Sequence, residues 1–164
     1  MVRATRTRQD LSAGLLTILV AVQALSGLAG GVALVIDPSG GVLRMPVSAL
    51  RSGPFTDFLV PGLILLLVLG VFPAAVAVAL WRRPRWSAMA GPERAFGEHW
   101  SWVGAGVVGV GLLIWLAVEL WLVGPSWLLW AYAVLGAAIL MVALAPGTRR
   151  SYRAGRAGRT VPTA

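Results

Sequence analysis

The sequence predicts an all-α fold: an integral membrane four-helix bundle, N-in and C-in, with a structured extracytoplasmic loop between helices 1 and 2. Three observations carry that expectation. Hydrophobic residues make up 58% of the 164 residues, more than a soluble core of this size needs. Four apolar stretches, at about 11–36, 58–81, 100–123 and 126–145, each reach the roughly 20 residues that cross about 30 Å of hydrocarbon as a helix. The arginines are distributed very unevenly about these stretches. Inside lipid only helices and closed barrels satisfy their own backbone, and the period-2 alternation of barrel strands is missing here.

Arg3, Arg6 and Arg8 precede the first stretch, which is too long for a signal core and shows no clear small-x-small cleavage site, so an uncleaved first span is expected. Between the first two spans lies Asp37 to Asp57, rich in turn formers: Asp37, Pro38, Ser39, Gly40, Gly41, Pro46, Gly53 and Pro54. Its apolar residues Val42, Leu43, Met45, Val47, Leu50 and Phe55 predict a loop that lies on the membrane or tucks over the bundle. Thr56 or Asp57 can cap span two. Inside that span Pro73 removes the helical bond to the Leu69 carbonyl, which predicts a kink. Gly124-Pro125 is so short a link that spans three and four form an antiparallel hairpin.

Arg82, Arg83, Arg85 and Arg94 lie between spans two and three, and Arg149, Arg150, Arg153, Arg156 and Arg159 follow span four. Only Arg44 and Arg51 fall on the other side. By the positive-inside rule both termini are cytoplasmic, in a multi-pass protein of the plasma membrane. Residues 1–145 form a single four-span membrane domain, and 146–164 an Arg-rich cytoplasmic tail expected to be disordered. The net charge of +8 thus serves orientation and contact with anionic lipid, and no nucleic-acid partner is expected. All 14 basic residues are arginine, the codon usage of a GC-rich, bacterial genome.

The chain has no cysteine, which excludes disulfides, thiolate metal sites and Cys nucleophiles. The sole histidine, His99 beside Glu98, has no convergent partners for a metal site or a catalytic triad and is expected to be an interfacial polar residue. No catalytic residues, metal or cofactor are predicted, and an enzyme is not expected.

One amide and one charged residue sit within the apolar spans. Gln23 is the only amide there, and a mid-bilayer amide must find a partner or face a polar cavity. Glu119, close to the outer end of span three, is the only charged residue inside a span. It can pair with Arg44 or Arg51 of the loop, hold a ligand, ion or proton, or snorkel to headgroups. Trp115 shares its face one turn away, so Glu119, Arg44, Arg51, Trp115 and Gln23 are the candidate ligand-binding residues. The remaining tryptophans are largely interfacial, as in an aromatic belt. Gly27 and Gly31 form a small-residue pair on span one, and Gly109 lies on a smooth face of span three; these three are the candidate helix-packing positions.

Asp37-Pro38-Ser39-Gly40, Met45-Pro46 and Gly53-Pro54-Phe55-Thr56-Asp57-Phe58-Leu59-Val60-Pro61-Gly62, with Trp115 and Glu119 in span three and Arg149 and Arg150 after span four, make a pattern that resembles a group of small, uncharacterised four-span bacterial membrane proteins. The resemblance covers most of the chain. Gly53 stands where that pattern has serine, which leaves the turn intact. The likeness implies the four-span fold and carries no activity.

The function expected from the sequence is a noncatalytic binding, assembly or accessory component, with membrane lipids around it and a homo-oligomer or membrane-protein partner against its small-residue faces. The alternative is binding or transport of a lipid or small amphipathic molecule through an outward-facing pocket near Glu119.

Overall fold

The computed structural model describes residues 2–45, 47–50, 54–82 and 100–152. The chain forms α1 (Val2–Ile36), α2 (Leu59–Arg82), α3 (Trp100–Leu122), α4 (Trp127–Leu144) and a short α5 (Pro146–Tyr152). No strand occurs among the described residues. From Leu11 onward α1 is apolar, and α1 to α4 are each long and apolar enough to cross a membrane.

What faces outward supports the same conclusion. Leu15, Ile18, Val22 and Leu25 form an exposed stripe on α1, whereas its buried face carries Gln23, Gly27 and Gly31 among its leucines and valines. A water-soluble helix has the opposite arrangement, and an exposed apolar stripe needs hydrocarbon to cover it. Trp81 projects outward at one end of the bundle and Trp121 and Trp127 at the other, as residues of a membrane–water interface do.

Neighbouring helices run antiparallel. A Cβ on Gly27 would run into the Leu69 carbonyl oxygen of α2, and one on Gly31 would lie 2.5 Å from the Leu66 backbone. From the other side, a Cβ on Gly62 would stand 2.7 Å from that of Leu34. The α1–α2 seam is therefore backbone against backbone, with close approach substituting for the hydrophobic drive that lipid removes. On α3, Gly104 abuts Val76 of α2 and Gly109 abuts Leu140 of α4. Gly106 and Gly111 have no such neighbour and border an apolar groove open between α3 and α4.

Two features modify the simple four-rod picture. The middle of α2, Leu67–Val71, is π-helical, and Pro73 stands two residues beyond it. Lacking an N–H, proline cannot continue the helical ladder, and the wider turn absorbs the defect. The second is α5, which occupies the first residues of a segment expected to be disordered. It folds back against α1 and α4 because Tyr152 has a buried place to go. Its ring is 3% exposed, and its hydroxyl donates at 3.3 Å to the carbonyl of Leu80, in the last turn of α2 where carbonyls lack intrahelical donors. Next to it the Trp102 indole donates at 2.7 Å to the Ala143 carbonyl, and the Arg149 guanidinium lies 5.3 Å from the centre of the Trp102 ring. Residues 153–164 lie outside the described residues.

Candidate functional site

At the end of the bundle that carries the long loop, a cavity of about 410 Å³ opens between the helices, within the size range of small-molecule sites. Its roof is the loop, and the roof is built around Asp37. That carboxylate accepts from the Ser39 backbone N–H at 3.1 Å, from the Ser39 hydroxyl, and from the Val42 N–H at 2.9 Å. These bonds, the Ser39 hydroxyl foremost, hold the Asp37 carboxyl below its ordinary pKa. Gly40 has φ 78°, which a side chain would strain, and the same Cβ would strike the Met45 carbonyl. The Met45 N–H in turn donates to the Gly40 carbonyl at 2.9 Å.

The loop is tied back to the bundle at its far side. Phe58, 2% exposed, donates its N–H to the Pro38 carbonyl at 2.9 Å, which joins the two ends of the loop. Asp57 accepts the Leu59 N–H at 3.0 Å in an Asx turn that leads into α2, whose N-cap position is held by Phe58 with no side-chain cap bond, in place of the Thr56 or Asp57 expected. Leu43, Met45 and Leu50 then reach the cavity from above.

The walls come from all four long helices. Leu65 and Leu69 of α2 and Leu112 and Leu116 of α3 contribute apolar surface, and Tyr132 of α4 adds an aromatic side chain. Gln23, Trp115 and Glu119 also line the cavity. Glu119 is half-buried, with Trp115 one turn before it on α3. Among the described residues no basic side chain lines the cavity.

Gln23 is 2% exposed. Its Nε2 donates at 3.3 Å to the Leu69 carbonyl, the group that Pro73 deprives of its α-helical donor. Since a carbonyl only accepts, this contact fixes which end of the amide is nitrogen. The remaining atom, Oε1, is buried and has no partner. By helical rise Gln23 and Glu119 are separated by about 10–15 Å along the bundle.

The structure therefore brings three of the five candidate ligand residues, Gln23, Trp115 and Glu119, to one cavity. Arg44 does not join them: it is exposed, with φ 54° in the loop, and is not among the lining residues. An ion pair between Glu119 and Arg44 is accordingly absent. Arg51 and His99 lie outside the described residues.

Comparison with known proteins finds no relative. No protein-family model, curated protein or solved structure matches the chain. The site is thus read from its own geometry. Sequence reading did not single out Tyr132 or Phe58 as cavity residues. Tyr132 had one available signal, being the only tyrosine within an apolar span; Phe58 had none, since its role depends on how the loop closes.

Proposed function

We propose that this protein binds a lipid or small amphipathic molecule in the cavity beneath its loop, with Glu119 near the mouth and Gln23 deep inside. The observation that carries this reading is the convergence on one apolar cavity of the amide Gln23 and the carboxylate Glu119. A mid-bundle amide with a vacant acceptor is costly unless something donates to it, and a ligand or a water brought with it would do so. The arginine asymmetry supports an outward-facing mouth.

The test is native mass spectrometry of the chain released from mild detergent, alongside Gly30→Leu. Gly30 lines the cavity and a Cβ there meets only the flexible end of Leu65, at 3.1 Å, so leucine would fill the space without touching the backbone seam. The expected result is one small molecule or lipid per chain in the wild type and none in the variant. An empty wild type, or equal occupancy in a folded Gly30→Leu, would refute the reading.

A second reading, an assembly or accessory component, is favoured by the open groove beside Gly106 and Gly111. It has less support than the sequence suggests, because Gly27 and Gly31 are consumed by packing against α2 within the chain. A stoichiometric partner or homo-oligomer lost on Gly111→Leu would bring it forward, and a clean monomer in several detergents would remove it.

A further inference from the structure

The composition of the cavity wall goes further than amphiphile binding and selects a headgroup. The following inference rests on the reading of this cavity as a binding site. An anionic head, whether phosphate or carboxylate, requires donors or cations, and among the described residues the lining offers no Arg, Lys or His. Among the described lining residues the one charged group is the Glu119 carboxylate and the buried vacant atom is an acceptor, while the Trp115 N–H and the Tyr132 hydroxyl are neutral donors. Glu119 presents a half-buried carboxylate one turn from Trp115, and Gln23 presents a buried Oε1 that accepts nothing.

Aromatic surface accompanies the carboxylate. Trp115 and Tyr132 pack against the same cluster of buried leucines, Leu69, Leu112, Leu116 and Leu129, and both line the cavity with Glu119. A carboxylate that shares an otherwise apolar cavity with two aromatic side chains has the chemistry to hold an organic cation: aromatic rings attract spread positive charge, and the acid neutralises it. The leucine walls below would take an alkyl chain.

We propose that the ligand is a cationic amphiphile, an alkyl amine or quaternary ammonium whose head lies at Glu119 between Trp115 and Tyr132, with its chain directed toward Gln23. A donor carried on that chain, or a water beside it, completes the Gln23 acceptor.

The experiment uses the full chain in nanodiscs of zwitterionic lipid, titrated by calorimetry with three probes of equal chain length: octyltrimethylammonium, octyl sulfate and octanol. The ammonium is expected to saturate at one per chain and to bind at least about tenfold more tightly than the other two. In Glu119→Gln that affinity should fall by about tenfold or more, the effect of removing one half-buried charge from a pair, while octanol is unchanged. Glu119→Asp, which keeps the charge, should retain the preference and guards against loss through misfolding.

Equal binding of all three probes by the wild type, or an ammonium affinity indifferent to Glu119→Gln, overturns the proposal. If octanol and octyl sulfate saturate and Gly30→Leu blocks them, the cavity reading survives and only the cationic head is refuted. If none of the probes binds saturably, both readings fail together.

Discussion

Gln23 of α1 supplies the Leu69 carbonyl of α2 with a hydrogen bond at 3.3 Å, in the place of the donor that Pro73 withholds. The two helices are thereby joined at the π-helical turn, Leu67–Val71. A proline defect in one span and an amide in another, 50 residues apart in the chain, are thus two halves of one local solution. Neither half makes sense alone, since an unpaired carbonyl and an unpaired amide are both unfavourable in the bilayer interior.

This pairing predicts coupling between Gln23 and Pro73. Gln23→Leu leaves the Leu69 carbonyl unpaired but also removes the vacant Oε1, so its own cost should be modest, about 1 kcal/mol. Pro73→Ala restores an N–H in the register of Leu69. In that background Gln23→Leu should cost less, by a coupling of about 1 kcal/mol measured in a double-mutant cycle of unfolding in bicelles. Strictly additive effects would show that the Gln23 bond and the proline defect are independent.

The α1–α2 seam gives a sharper contrast. A Cβ at Gly27 has nowhere to go but the Leu69 carbonyl oxygen and the adjacent Gly70 nitrogen, whereas one at Gly106 meets nothing within 4 Å. Gly27→Ala should therefore destabilise by about 1–3 kcal/mol, the usual range for overpacking, because backbone rather than a flexible side chain must move. Gly106→Ala should be neutral or slightly stabilising, through helix propensity. Thermal unfolding of the two variants in one detergent decides it, and equal midpoints would mean that the seam is looser than described.

Much of this fold was legible in the sequence, and the reason is that membrane spans are read from length and apolarity alone. The spans expected at 58–81 and 100–123 are found at Leu59–Arg82 and Trp100–Leu122. Facing was harder to read. Helices apolar on every side give no hydrophobic stripe, so the spacing of Gly27 and Gly31 announced close approach without naming α2 as the neighbour. Pro73 announced a defect but not its form as a π turn. Glu119, Trp115 and Gln23 were singled out by their chemistry. Their convergence depends on which helix faces lie inward, and Arg44 was included only because the charge of a loop residue is visible in sequence while its direction is not. For residues 146–152 the sequence misled for a related reason: the arginines obscured Tyr152, whose burial and bond to Leu80 hold α5 in place.

The roof over the cavity has its own pH dependence, set by Asp37. Its carboxylate gathers the Ser39 hydroxyl and the N–H groups of Ser39 and Val42, and these donors hold its pKa below the ordinary value. A group whose pKa is depressed on folding adds order above its unfolded pKa and loses it as pH falls through the folded one. The loop should accordingly be unchanged from neutral pH down to about pH 4, the range in which a free aspartate stays ionised, and should loosen only in stronger acid. Amide hydrogen exchange at Ser39 and Val42, corrected for the intrinsic rate, would show protection constant above that range and falling below it. Asp37→Asn should lower protection at both amides at neutral pH and flatten the acid-dependent step, because a neutral amide accepts these bonds more weakly. A wild-type profile already falling between pH 7 and 5 would assign the order of the roof to another group.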